Sequence, residues 1–284
     1  MKAYNEIVNM ILERIDAMEK EGRQFYWVKP WTGGAKFPTS FLTGKTYKGI
    51  NIVTLSAGEY LTFNQIQKNG GRIKKGAVAR PLYFYSVGKK KKKKKEGDEE
   101  EVRYYFLRRY TVFHIDDIDG IDGHFPAEVH IHKEDYPEVD KVIRLFARKT
   151  NLIIDITKNA GECFYSTNRH LLRIPEKEAF TSVYSYYSAL FHEIVHSTMK
   201  ALNRKQDDSK YCAEELVAQI GSQLLLNWFG IIPSEGDLDN DINYVRGWAA
   251  YLKDHKSAIV SASSKAGKAV DYFLKTTGNN SNEE

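Results

Sequence analysis

Apolar residues recur along this chain in two rhythms, and the change between them divides it. Residues 4–20 place Ile7, Met10, Ile11, Ile15 and Met18 at helical spacing with charges on the opposite face, which predicts an amphipathic packing helix. Residues 22–60 lose that period and become rich in turns and aromatics. Residues 61–68 suit a short helix, stopped by Asn69-Gly70-Gly71. Pro81–Val87 and Val102–His114, dense in Tyr, Phe and Val, read as paired strands. Between them the run Lys89–Lys95, followed by five acids through Glu101, predicts a solvated low-complexity loop without fixed order at a hairpin tip.

The second half is helical. Residues 138–149 predict a helix with Val142, Ile143, Leu145 and Phe146 inward. Three short strands follow (152–156, 161–165, 170–174), then helices over 181–200, 209–228, 241–255 and 256–275. The acidic stretch 116–138, broken by Gly120, Gly123, Pro126 and Pro137, reads as a linker. The expected class is α+β: a mixed α/β domain over 1–125, then a mostly helical domain with a small sheet over 126–284.

Charge sharpens that division. The net charge of +5 hides a segregation: between Gly22 and Lys95 there are seventeen Lys/Arg and one acid, Glu59, while the remainder holds 25 Lys/Arg and 36 acids. A basic module is joined to an acidic one. The two cysteines, Cys163 and Cys212, form no CxxC, which excludes a disulfide scaffold and fits a reducing cytosol. No apolar run approaches the length of a membrane span and the N-terminus has no signal-peptide h-region, so no membrane partner is expected.

Candidate chemistry concentrates in His192-Glu193-Ile194-Val195-His196, an H-E-x-x-H motif inside a predicted helix. Histidines one turn apart leave the same helix face and can hold one metal ion, and Glu193 beside them can act as general base on a water. A third ligand is available on the next helix, where Glu215 follows His196 after eighteen intervening residues. Glu214 competes for that place, but the spacing and the i,i+4 relation to Gln219 favour Glu215, with Gln219 orienting a ligand from behind. Two His and one Glu with an open position is a catalytic zinc arrangement, so one Zn²⁺ per chain is the expected cofactor, although another divalent ion can take the same ligands. Tyr184, Tyr186 and Tyr187 are close in sequence, but the helix points them in different directions and none is singled out as an oxyanion donor.

The basic segment has its own logic. Residues 22–113 combine lysines and arginines with seventeen aromatics, the pairing that single-stranded nucleic acid requires: cations follow phosphates and rings stack on unpaired bases. Duplex readers usually present a recognition helix, and none is evident. The candidate contacts are Trp27, Trp31, Lys45, Tyr47, Lys48, Asn51, Arg72, Lys74 and Lys75.

The chain resembles the ArdC-type antirestriction proteins over nearly its whole length. The resemblance lies in Lys29-Pro30-Trp31, in Thr43 through Asn51, in Leu61-Thr62-Phe63 and Gly70 through Gly76, and in Tyr110-Thr111-Val112-Phe113. It continues through Tyr186 to Thr198, Leu202-Asn203-Arg204, Glu214 through Ala218, and Trp248 through Lys256. It implies an N-terminal single-stranded-DNA-binding domain joined to a C-terminal zincin-like metallopeptidase domain, with metal on His192, His196 and Glu215. It further implies a mobile-element protein of the bacterial cytoplasm that accompanies DNA into a recipient cell and shields it from restriction. Met199 stands where the family usually has Gly, and Gln219 where it often has an acid. Two other functions fit the same residues: a pure single-stranded-DNA shield with a non-catalytic metal site, and a peptidase that cleaves a host protein. The peptide substrate is left undefined.

Overall fold

The computed structural model describes residues 2–21, 25–27, 36–93, 99–125, 135–158, 161, 163–204, 211–233 and 242–279. Trp31, named above as a nucleic-acid contact, lies outside them.

The first half builds a sheet edged by short helices. Helix α1 spans Lys2–Lys20 and turns Ile7, Val8, Ile11 and Ile15 inward. Strand β1 (Pro38–Ser40) lies parallel to β2 (Gly58–Leu61), and β2 pairs antiparallel with β5 (Glu99–His114), which pairs with β4 (Arg80–Lys93), giving the order β1-β2-β5-β4. The short helices α2 (Asn51–Thr54) and α3 (Phe63–Lys68) sit between these strands. Thr62 and Gln65 cap α3 reciprocally, each side chain meeting the other's backbone N–H. A small ladder joins β3 (Arg72–Ile73) to β6 (Ile118–Asp119), so the acidic stretch expected as linker starts inside the first module, with Ile118 buried beside Leu61 and Ile66.

The β4–β5 hairpin corrects one expectation. Its ladder does not stop before the lysine run but continues through Lys93, in a register that sets Lys91, Lys92 and Lys93 opposite Glu101, Glu100 and Glu99. Residues 94–98 lie outside the described chain.

The second half packs helices over a three-stranded sheet. Helix α4 (Pro137–Thr150) leads into β7 (Ile153–Thr157), β8 (Phe164–Ser166) and β9 (Leu171–Pro175), ordered β7-β9-β8 with β8 antiparallel. Helices α5 (Val183–Ser197), α6 (Tyr211–Trp228), α7 (Ile242–Asp254) and α8 (Ala258–Thr277) follow. Helix α5 is buried on nearly every side, including Glu193 and His196, which makes it the spine of this half. Ser182 and Ser185 start it with a reciprocal cap.

The two halves share one hydrophobic core. Ile7, Ile11, Phe25, Trp27 and Ile52 belong to the same cluster as Phe146, Phe191, Trp248 and Phe273. Trp27 meets Trp248 edge to face at 6.3 Å, and Lys36 lies over the ring of Trp228 at 4.5 Å. Each fully buried large side chain contributes about 1.5–3 kcal/mol, so this seam is a substantial part of the fold's stability. Among the described residues no helix is long and apolar enough to cross a membrane.

Candidate metal centre and candidate nucleic-acid surface

Helix α5 carries His192 and His196 one turn apart, with ring centroids 4.8 Å apart and their Nε2 atoms 3.1 Å apart. Helix α6 runs back alongside it: Glu215 stands level with the histidines, and Ser222 donates to the carbonyl of Ser188 at 2.7 Å. Close approach of the two helices depends on Gly221, because a Cβ there would stand 2.7 Å from Val195 Cγ2. Glu215 Oε2 lies 3.3 Å from His192 Nε2, and Oε1 lies 3.4 Å from His196 Nε2.

These distances test whether a metal fits. Donor atoms this close are held together either by shared protons or by a cation among them. Ligands about 2.0–2.1 Å from an ion in a tetrahedron are themselves about 3.3–3.4 Å apart; here the two imidazole Nε2 atoms are 3.1 Å apart and each lies 3.3–3.4 Å from a different oxygen of the Glu215 carboxylate, so the three side chains converge closely enough to share one ion. His192, His196 and Glu215 are the one such group among the described residues.

Charge follows the same arrangement. Burial works against a charge on His196, but the carboxylates of Glu214 and Glu215 outweigh it and raise its pKa to about 9 in the metal-free chain. Burial likewise opposes ionisation of Glu215, yet the hydrogen bonds from His192 and His196 hold it far below the usual carboxylate range. Glu193 moves the other way: burial raises its carboxyl, against the pull of His192 and His196 and a backbone hydrogen bond from Tyr165.

Further support stands behind His196. Glu214 Oε1 lies 3.5 Å from His196 Nδ1, the ring nitrogen that faces away from Glu215. Arg204 fixes that glutamate: Nη2 donates to Oε1 at 2.9 Å and Nε to both oxygens at 3.2 Å. The same guanidinium donates to the carbonyl of Val195 at 2.8 Å and to Thr198 Oγ1 at 2.9 Å. Arg204 stands in the Leu202-Asn203-Arg204 motif, eight residues beyond His196, and its role was not legible there because the intervening turn, with Asn203 at φ 52°, folds it back. Gln219 is half buried one turn beyond Glu215. Tyr187 donates to Asp140 at 2.7 Å and to the carbonyl of Tyr136, a structural role that removes it as an oxyanion donor.

The nucleic-acid candidates separate into groups. Trp27 is 3% exposed and packed between Phe25 and Trp248, so it is core and has no face for a base. Asn51 is equally buried, and its amide bridges α2 to β4, donating to the carbonyl of Tyr83 and accepting from its N–H, both at 2.8 Å. Both corrections share a cause: a polar or aromatic residue in a basic segment can still be taken up by packing. Lys45, Tyr47 and Lys48 line one cavity with Asn51 at its wall. Arg72, Lys74 and Lys75 are exposed around β3, where Lys74 donates to the carbonyl of Asp116 at 2.9 Å.

The hairpin supplies aromatics that sequence reasoning missed. The register pairs Leu82 with Tyr110, Phe84 with Arg108, Ser86 with Phe106 and Gly88 with Tyr104, so these residues share one face. That face starts buried at Leu82 and Val112, then runs outward as an exposed stripe of Tyr110, Phe84, Phe106 and Tyr104. Arg108 lies over Tyr110, and the ring of Tyr104 covers Gly88, where a Cβ would meet it at 2.4 Å. Alternation along Tyr104, Phe106, Arg108 and Tyr110 was the available signal.

Comparisons with known proteins agree with this architecture. Residues 1–113 match the N-terminal domain of anti-restriction factor ArdC, and residues 141–265 match a zincin-like metallopeptidase. The crystal structure of antirestriction ArdC protein from the R388 plasmid is similar in its metal-free form, with a TM-score of 0.69 and 26% identity over 98% of this chain and 99% of that one. Its Mn(II)-bound form gives 0.68 and 27%, over 99% of both chains. Among curated proteins, DNA primase TraC of Escherichia coli is 26% identical over 96% of this chain, which spans only 20% of that primase. Uncharacterized protein y4eC of Sinorhizobium fredii (strain NBRC 101917 / NGR234) is 25% identical over 95% of this chain and 91% of its own length. The chain thus joins an ArdC N-terminal domain to a zincin-like metallopeptidase domain, and from end to end it is similar to the antirestriction ArdC protein of a plasmid.

Proposed function

We propose that this protein binds single-stranded DNA through its first module (residues 1–125) and carries a zinc-dependent peptidase centre in its second (residues 126–284). Together these protect incoming DNA of a mobile element from restriction. The observation that carries the catalytic part is the convergence of His192, His196 and Glu215 beside a buried Glu193. His192, His196 and Glu215 would hold a zinc ion, which would supply electrophilic polarisation of a peptide carbonyl and acidify a water. Glu193 takes the proton of the attacking water and returns it to the departing amide nitrogen. Strand β8, paired only with β9 among the described strands, leaves an edge beside Glu193 on which an extended peptide can add as a further strand.

The DNA-binding part rests on the exposed stripe of Tyr104, Phe106, Phe84 and Tyr110 with Arg108 among them, and on Lys45, Lys48, Arg72, Lys74 and Lys75 as phosphate contacts. Such a protein acts in the bacterial cytoplasm and can enter a recipient cell with the transferred strand.

Glu193→Gln separates chemistry from shielding. It should retain metal and single-stranded-DNA binding while proteolysis falls by about 10²–10⁴-fold. Protection against restriction that survives this change assigns the biological effect to DNA binding alone. Loss of protection together with proteolysis assigns it to cleavage, of a host protein or of a DNA-bound one.

A further inference from the structure

A cavity of about 630 Å³ opens where the hairpin's aromatic face meets the loop carrying Lys45–Gly49. Its walls include Tyr47, Phe84 and Tyr110, arranged edge to face in sequence: Tyr47 to Phe84 at 6.2 Å and 71°, Phe84 to Tyr110 at 5.7 Å and 77°. Lys45 and Lys48 line it as cations. Its far wall is not part of the DNA module: Val260 and Ser264 come from α8, the helix that packs along α6, which carries Glu215. Lys48 is bound to Asp271 of the same helix at 2.5 Å.

We propose that this cavity takes one unstacked nucleobase of the single strand, with α8 of the metallopeptidase half as one wall. The proposal rests on the single-stranded-DNA reading above and adds to it a defined subsite that crosses the seam between the halves. Its volume lies within the roughly 300–1,000 Å³ of small-molecule pockets, and an aromatic lining with cations among it matches a flat ring attached to phosphates. A duplex cannot present a free base to it. The Lys48–Asp271 pair is more than half exposed on both sides, so it holds Lys48 only weakly, and a phosphate oxygen competes for that ammonium.

The test uses the full chain and a fluorescein-labelled oligothymidylate, with binding read by anisotropy. Ser264→Trp fills the cavity from the α8 side and leaves Phe106 and Tyr104, the part of the exposed stripe outside the cavity, untouched. Its affinity should fall by about five- to a hundredfold, the worth of one stacked base, with the melting temperature unchanged. Asp271→Asn frees Lys48 and should tighten binding by about two- to fivefold at low salt. As a check independent of folding, an oligonucleotide carrying 5-iodouridine should photocrosslink to Tyr47, an aromatic of the cavity that is not on the exposed stripe. Normal binding by Ser264→Trp, or crosslinks confined to other residues, overturns the cavity proposal while leaving single-strand binding intact. Failure of the wild-type chain to bind the oligonucleotide at low salt overturns the DNA reading itself.

Discussion

Arg204 and Glu214 form a buried ion pair behind His196, each side chain 5% exposed, with the guanidinium reaching both carboxylate oxygens. Removing one partner of such a pair leaves an uncompensated charge in the interior. Arg204→Met should therefore destabilise the metal-free chain by about 3–5 kcal/mol in urea. Because Glu214 orients the His196 ring, metal affinity measured against a chromophoric chelator should also fall by about 10–100-fold. Arg204→Met with unchanged metal affinity would show that the pair only braces the turn.

The protonation of His196 predicts how metal binding depends on pH. Without metal its pKa is raised to about 9 by Glu214 and Glu215, so at pH 7.5 the ring is protonated. Metal uptake should release about one proton there, read by calorimetry in buffers of different ionisation enthalpy. The sign for stability follows from the raised value. The stabilisation is complete below the ring's ordinary 6.5 and is lost as pH rises through about 9. The melting temperature of the chelator-treated chain should accordingly decline between these limits, and a flat profile there would refute the assignment.

Gly221 sets the distance between α5 and α6. Gly221→Ala places a methyl 2.7 Å from Val195 Cγ2, so it should cost about 1–3 kcal/mol and weaken metal binding by moving Glu215 away from the histidines. Adding Val195→Ala removes the clash. The double variant should recover metal affinity, measured by the same chelator competition, even if the core is less well filled.

Two aromatic substitutions should behave in opposite ways. Phe106→Ala lies on the exposed stripe, so oligothymidylate affinity should drop by about fivefold or more, with little change in the denaturation midpoint. Trp27→Ala lies in the core and should lose about 3–5 kcal/mol of stability, with DNA binding affected only through unfolding. Equal stability loss in both would remove the stripe as a binding face.

What could be read from the sequence was local or periodic. His192, Glu193 and His196 were legible because a helix converts a four-residue spacing into a shared face, and Glu215 because the second helix had its own period. Trp27 and Asn51 were misread because their burial is decided elsewhere, by Trp248 more than two hundred residues away and by the backbone of Tyr83. The strand pairing of the lysine run is a register with the acidic segment across the hairpin, which composition alone treats as a separate block. The cavity wall from α8 and the Arg204–Glu214 brace are tertiary contacts with no periodic trace.

The shared core also governs the order in which the chain acquires structure. Trp27 packs on Trp248, Glu19 pairs with Arg246, and α1 rests against α7. A nascent first module therefore presents an uncovered apolar surface until α7 and α8 have been synthesised. Contacts of such sequence separation carry a large loop-closure entropy and slow folding. The first module is thus a late-maturing unit, and any passage of the chain in unfolded form must be followed by arrival of its distal helices before that module is complete.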